Sequence, residues 1–414
     1  MDETVLVTLE KMTYSGNAIG RLPDHRAVFV PFGLPGEQVL VQVLEEKRGF
    51  ARGKIKQVEQ PSPERISPHC LHFGVCGGCH YQHMAYATQL KIKSAILVDQ
   101  LARIGHISDP PIQAIYPSPD QWNYRNHVQF QVGPDGRLGF LAHRSNQVVP
   151  IQECHLPLPR LNSLWPHISL EADMGIHRVV VHEGTNEDLL LVLEGTQPVS
   201  PHLELEAGIP VVYSFADQRT ILAGEDTLQM TIDPQGGRQP RLFQVSSGSF
   251  FQVNTALTES MLNHVLEILP EKIGCLLDIY CGVGLFSAFL KERTDNLVGI
   301  ESNPSACDNF MLNLDEFKKV DLYQGRAEYI LPGLDIKPDV ALVDPPRAGL
   351  DPRVVEALLK MMPGILVYIS CDPSTLARDA SLITKGGYRL DQVTPVDLFP
   401  QTYHIESINL FTLK

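Results

Sequence analysis

The chain has 414 residues, 43% of them hydrophobic and 20% charged. At roughly 150 residues per domain this length implies two to four domains, each able to bury a core without metal or disulfide staples, and the composition excludes collagenous, disordered and membrane-spanning chains. A formal net charge of −14 argues against a protein that coats nucleic acid through bulk positive charge, while leaving room for a local basic groove.

Met1-Asp2-Glu3-Thr4 has neither a basic region nor a long apolar stretch, and no run reaches the ~18 apolar residues of a membrane helix. A cytoplasmic protein with no membrane partner is expected. Its eight cysteines should then be reduced, liganded or catalytic. β-rich or alternating patterns at Thr4 to Leu9, Ala27 to Phe32, Gln38 to Glu45 and Ala51 to Val58 predict a small five-stranded, OB-like barrel over residues 1–60. Lys47-Arg48-Gly49-Phe50-Ala51-Arg52-Gly53-Lys54-Ile55-Lys56 supplies the cations and aromatic of a single-stranded nucleic-acid grip, or else a solvated strand pair. Pro61-Ser62-Pro63 and Pro68 end this unit.

Cys70, Cys76 and Cys79 form C-x5-C-x2-C, and Cys154 is the next cysteine. Three thiolates so close, with Gly77-Gly78 letting the backbone wrap tightly, point to a bound metal that Cys154 can complete; four thiolates suit zinc and iron–sulfur alike. Met84 to Ile104 has helical periodicity, and 110–245 is strand-rich and turn-rich, consistent with an antiparallel α+β module, so that 61–245 forms a central domain.

From 246 to 414, strand-like runs at 275–280, 297–301, 339–343 and 365–370 alternate with helix-like segments at 285–292, 304–315, 352–361 and 374–384. That alternation predicts an α/β domain with a parallel sheet and ligands at the carboxyl ends of its strands. Asp278-Ile279-Tyr280-Cys281-Gly282-Val283-Gly284 is a strand end followed by a G-x-G turn, and Glu301 ends the next strand. Glu301 is suited to a ribose. Ser287 stands where a dinucleotide site wants its third glycine, and Asp278 disfavours a pyrophosphate, so S-adenosylmethionine is preferred over NAD. Asp344 in Asp344-Pro345-Pro346-Arg347 belongs either to this site or to a helix cap.

Cys371 lies between the fourth of these apolar runs and a helix, whose N-terminus would favour its thiolate. Glu406 stands at the start of the final strand. Uracil chemistry makes the two intelligible together: a thiolate adding to C6 turns the ring into an enolate that attacks a methyl donor through C5, and a base then removes the C5 proton.

On these residues the chain resembles the RNA uridine-C5 methyltransferase family from end to end. The barrel resembles a TRAM domain, and C-x5-C-G-G-C-x-x-Q-H from Cys70 to His83, with Cys154, resembles the family's four-cysteine iron–sulfur site. The resemblance therefore implies a [4Fe–4S] cluster on Cys70, Cys76, Cys79 and Cys154. It implies a Rossmann-like methyltransferase domain with Gln252, Tyr280, Glu301 and Asp344 on S-adenosylmethionine, Cys371 as nucleophile and Glu406 as base. Ser370-Cys371-x-Pro373-x-Thr375-Leu376-Ala377-Arg378-Asp379 and His404-x-Glu406 carry those last two roles. Leu285 and Arg326 depart from the family pattern. In relatives the helix after the cluster packs on the catalytic domain. A cluster together with a TRAM domain resembles the bacterial 23S ribosomal RNA enzymes more than the cluster-free tRNA T-loop enzymes, so RNA is the expected partner, with ribosomal RNA favoured over tRNA and no obligate protein partner. The competing reading of a non-catalytic RNA-binding or assembly protein sits poorly with the presence of both Cys371 and Glu406.

Overall fold

A computed structural model of the protein describes residues 4–172, 174–198, 208–216, 218–234 and 238–414. Within the span 110–245, positions 173, 199–207, 217 and 235–237 lie outside the described residues.

Strands β1 (Thr4–Met12), β2 (Asn17–Arg21), β3 (Ala27–Pro31), β4 (Gln38–Glu46) and β5 (Phe50–Gln60) close into a barrel in the order β1-β2-β3-β5-β4. Period-two alternation turns Val7, Leu9, Val28, Val30, Val39 and Val41 inward. β2 has no such alternation to announce it. Its Gly20 is there because a Cβ would sit 2.4 Å from the Val7 side chain on the neighbouring strand β1. The basic run is divided: Lys47 and Arg52 both pair with Glu45, at 2.9 and 2.6 Å, while Arg48, Lys54 and Lys56 carry no ion pair among the described residues. Arg52 also lies over the Phe50 ring, 5.0 Å from its centroid.

Helix α1 (Tyr86–Arg103) follows the cysteine segment and buries Leu97 and Leu101 among Leu376, Ala377 and Ala380, which belong to the far end of the chain. Lys93 on this helix is completely buried, paired with Asp397, and donates to the Phe399 carbonyl at 2.9 Å.

The central sheet comprises β6 (His127–Val132), β7 (Leu138–Leu141), β8 (Val148–Pro150), then, after α2 (Pro159–Leu164), β9 (Ile176–Glu183), β10 (Leu189–Gly195), β11 (Val211–Phe215) and β12 (Gln218–Ala223), in the order β12-β11-β10-β9-β6-β7-β8. Every pair is antiparallel except β10 with β11. Hairpin β13 (Thr227–Ile232) and β14 (Arg241–Ser246), which a boundary at 245 assigns to the central unit, buries Met230, Ile232, Phe243 and Val245 in the core of the unit that follows.

That unit begins with α3 (Thr255–Ile268) and continues β15 (Ile273–Ile279), α4 (Leu285–Lys291), β16 (Thr294–Glu301), α5 (Pro304–Asn313), β17 (Val320–Gln324), α6 (Ala327–Ile330), β18 (Val340–Val343), α7 (Pro352–Met361), β19 (Ile365–Ser370), α8 (Pro373–Lys385), β20 (Tyr388–Val396) and β21 (Glu406–Leu413). The sheet order is β17-β16-β15-β18-β19-β21-β20, parallel through β19, with β21 antiparallel to both neighbours. One apolar core covers each face. No helix among the described residues is long and apolar enough to cross a membrane.

Candidate active site

β15 and β18 are neighbours although two strands intervene in sequence, so the strand order reverses between them and opens a crevice at their carboxyl ends. A cavity of about 870 Å³ fills that crevice, and its walls include Gln252, Tyr280, Glu301, Asp344, Cys371 and Glu406 together. Gly284 opens α4 at φ +88°, and a Cβ there would lie 2.5 Å from Leu314, so both conformation and space require glycine. Glu301 ties this turn to the end of β16: one carboxylate oxygen accepts from Gly282 N–H at 3.1 Å, the other from Ser302 and Asn303 N–H at 2.6 and 2.7 Å.

Asp278 is 1% exposed and accepts from the Ser287 hydroxyl at 2.6 Å, while its Oδ1 has no partner among the described residues. Burial pushes its carboxyl up to about 7, against the Ser287 hydrogen bond and helped by Glu301. Burial, and then Asp278, likewise push Asp344 up to about 7. The capping role open to Asp344 falls instead to Asp351, which accepts from Arg353 N–H ahead of α7. Enclosed carboxyls of this kind hold protons until a cation arrives to replace them. Of the two departures, Leu285 is buried in the core, and Arg326 pairs with Glu328 at 2.8 Å on the cavity edge.

Cys371 follows β19 directly, and Asp372 caps α8 by accepting from Ser374 and Thr375 N–H at 2.9 and 3.0 Å. The helix end expected to favour a thiolate is thus already occupied by the cap's own carboxylate. Burial pushes the Cys371 thiol up to about 12, with Glu406 and Asp344 adding to it and Arg347 opposing. Glu406, the first residue of β21, is 4% exposed rather than solvated. Burial and then Asp344 raise its carboxyl well above the usual range, again against Arg347.

Arg347 is thus a site residue to which the sequence reading gave no role, although the motif Asp344-Pro345-Pro346-Arg347 contains it. Its guanidinium reaches His404 Nε2 at 3.3 Å, and the nucleophile motif holds its loop. Thr375 Oγ1 donates to Arg347 O at 3.1 Å, Arg378 to Ala348 O at 2.9 Å, and Asp379 accepts from Leu350 N–H at 2.8 Å and the Tyr368 hydroxyl at 2.9 Å.

Cys70, Cys76, Cys79 and Cys154 line a second cavity of about 420 Å³ that shares Phe250, Arg347, Phe399 and His404 with the first. Backbone N–H groups of His72 and Gly78 donate to the sulfurs of Cys70 and Cys76, both at 3.4 Å. Gly77 passes so close to Leu141 that a Cβ would lie 2.8 Å from its carbonyl oxygen. Burial pushes Cys79 up to about 12 and Cys154 up to about 11, with Arg125 opposing in both. Arg125 has a buried Nε without a partner among the described residues. A cation with spare hydrogen-bonding capacity beside four convergent thiols suits an anionic thiolate-bound group. Ligand atoms of Glu153 and His155 also come within 4.8 Å of Cys70.

A family model described as tRNA (Uracil-5-)-methyltransferase matches residues 208–414, and a TRAM domain model matches residues 3–56. An Aquifex aeolicus protein named uncharacterized RNA methyltransferase is 35% identical over 436 residues, spanning 100% of this chain and 99% of its own. The chain belongs to the RNA uridine-C5 methyltransferase family. A relative from Thermosynechococcus vestitus, also named as an RNA methyltransferase, is 34% identical over 446 residues, covering 99% and 98% of the two chains. The fold of this methyltransferase matches that of Pyrococcus abyssi tRNA (uracil-54, C5)-methyltransferase solved with S-adenosyl-L-homocysteine, at a TM-score of 0.75 and 24% identity over 99% of this chain and 100% of the other. The methyltransferase is thus an RNA-modifying enzyme whose methyl donor is S-adenosylmethionine, and its barrel is a TRAM domain.

Proposed function

We propose that this enzyme methylates C5 of a specific uridine in cytoplasmic 23S ribosomal RNA through a covalent bond between Cys371 and C6 of the ring. The observation that carries the reading is the common cavity lined by Cys371, Glu406 and the carboxyls of Asp278, Glu301 and Asp344. S-adenosylmethionine, when bound, supplies an electrophilic methyl group on a sulfonium cation. Asp278, with its unpartnered oxygen, and Asp344 suit that cation, and Gln252, Tyr280 and Glu301 complete its walls. Arg347 favours the Cys371 thiolate, whose sulfur adds to C6 of a uracil turned out of its stack. C5 then takes the methyl group, Glu406 removes the C5 proton, and the C6–sulfur bond breaks to restore the ring.

Four cysteines, two N–H···S bonds and Arg125 support a [4Fe–4S] cluster on Cys70, Cys76, Cys79 and Cys154. Anaerobically purified protein should be brown and hold about four irons per chain. A colourless protein with stoichiometric zinc and full activity would remove the cluster from this account. Arg48, Lys54 and Lys56 on the TRAM barrel suit the phosphate backbone.

The raised carboxyls give the cofactor a pH dependence of definite sign. Below about 7, Asp278 and Asp344 carry protons that a sulfonium must displace. The dissociation constant of S-adenosylmethionine should therefore fall as pH rises through about 7, by up to about tenfold per unit for each proton released, and level off above. The neutral thioether S-adenosylhomocysteine should show a shallower slope in the same titration. Equal slopes for the two ligands would separate these acids from the sulfonium.

The substrate is tested by transfer of labelled methyl groups to unmodified transcripts. The 23S transcript should be labelled at one or a few uridines and the tRNA transcript should not. Labelling of tRNA alone would overturn the ribosomal assignment and leave the chemistry intact.

A further inference from the structure

The turn between β1 and β2 belongs to the TRAM barrel but reaches the two loops that carry Cys371 and Glu406. The Tyr14 hydroxyl donates to Asp372 Oδ2 at 2.9 Å, and the other oxygen of that carboxylate caps α8 immediately after Cys371. The Tyr14 ring stands edge-on to Tyr403, with centroids 5.9 Å apart. Gly16, at φ +77°, lies so close that a Cβ would be 3.1 Å from the Tyr403 ring. Tyr403 in turn packs at 4.4 Å on His404, two residues before Glu406. The turn is itself stiff: Gly16 N–H donates to Thr13 O at 3.0 Å, and the buried Asn17 side chain donates to the Ser15 hydroxyl at 2.7 Å. The cysteine segment holds the same loop, His80 and Tyr81 N–H both donating to the Gln401 carbonyl, at 2.9 and 3.0 Å.

We infer that Tyr14 and Gly16 are positioning residues: the first barrel turn brackets the nucleophile loop and the base loop and fixes Cys371 relative to Glu406. The barrel then has two separable roles, because this turn is remote in sequence from the cations at Arg48, Lys54 and Lys56. Loss of a phosphate contact weakens RNA binding uniformly. Loss of the bracket misplaces reacting atoms after the RNA has bound, where a displacement of about 1 Å costs on the order of 100-fold in rate. Burial beside Asp372 also raises the Tyr14 hydroxyl well above its usual range, which keeps it a donor.

The inference rests on the covalent reading above, and its test keeps the two apart. Full-length enzyme is mixed with S-adenosylmethionine and a substrate transcript made with 5-fluorouridine. Sulfur adds to C6 and the methyl group reaches C5, but fluorine cannot leave C5 as a proton does, so the adduct persists and its formation can be timed. Tyr14→Phe keeps the ring and should slow adduct formation by about 10- to 100-fold at saturating RNA, with the RNA concentration for half-saturation within about twofold of wild type. Lys56→Ala should show the reverse split. Asp372→Asn retains a capping side chain and should slow the reaction similarly, and the double variant should be no slower than the worse single one. Wild-type rates in Tyr14→Phe at saturating RNA, or fully additive losses in the double variant, would overturn the bracket. Absence of any adduct with the wild-type enzyme would instead overturn the covalent reading.

Discussion

Glu406→Gln should accumulate a protein–RNA adduct that survives denaturing electrophoresis, while Cys371→Ala should form none. In the proposed mechanism the two side chains act on adjacent carbons of one ring and at opposite ends of the reaction. Without the sulfur nothing adds to C6, so C5 never becomes nucleophilic. The Cys371→Ala protein should still bind RNA and S-adenosylmethionine, since the cavity keeps its other walls. Without the carboxylate, addition and methyl transfer proceed, but the C5 proton stays and the sulfur cannot be expelled. Turnover in Glu406→Gln should fall by about 10²- to 10⁴-fold, the span a positioned general base commonly contributes. Wild-type turnover without adduct in Glu406→Gln would assign the base elsewhere, and methylation by Cys371→Ala would end the thiolate mechanism. Burial raises the proton affinity of both residues in the free enzyme, with Glu406 and Asp344 adding to it at Cys371 and Asp344 at Glu406. In the proposed mechanism Arg347 favours loss of the thiol proton to solvent, so the rate of adduct formation should rise with pH across the neutral range.

Lys93→Met should be the most destabilising single replacement away from the cavity. Lys93 and Asp397 are both 0% exposed, and Asp397 Oδ2 already has no partner among the described residues. Removing the ammonium leaves a buried carboxylate alone and strips the Phe399 carbonyl of its donor, which together cost about 3–5 kcal/mol. Thermal unfolding should come roughly 10 °C earlier. The double replacement Lys93→Met with Asp397→Leu should recover most of that loss, because a well-packed apolar pair avoids the desolvation of both charges. Equal stability of the wild type and Lys93→Met would show that the pair does not hold the loop leading to Glu406.

Local chemistry made parts of this molecule readable. The G-x-G turn, the strand-end acids and the cysteine spacing are short-range patterns with a backbone reason behind them, and α7 and β19 fall where periodicity puts them. β2 and β17 escaped because a strand that carries glycine at a close crossing, or that lies at a sheet edge with exposed residues, shows little alternation. α3 did carry a signal: Asn254 caps it by accepting from Leu257 N–H at 3.3 Å. The helix-end reading of Cys371 left out its burial, the nearby carboxyls of Glu406 and Asp344, and the Asp372 cap, none of which a local pattern shows. Arg347, Arg125 and Tyr14 were beyond reach for a related reason. Tyr14 meets Asp372 across 358 positions of sequence, and no local pattern announces such a partner.

The union of α1 with α8 also has a consequence in time. Asp397 follows Lys93 by 304 residues, and at about 5–20 residues per second the ribosome needs roughly 15–60 s to cover that distance. Throughout that interval a finished helix keeps Ile96 in the barrel core but displays Leu97 and Leu101 without the surface of α8 to dock against. The nascent chain is therefore a natural client for chaperones that shield apolar helices, and its yield should depend on them more than its final stability suggests.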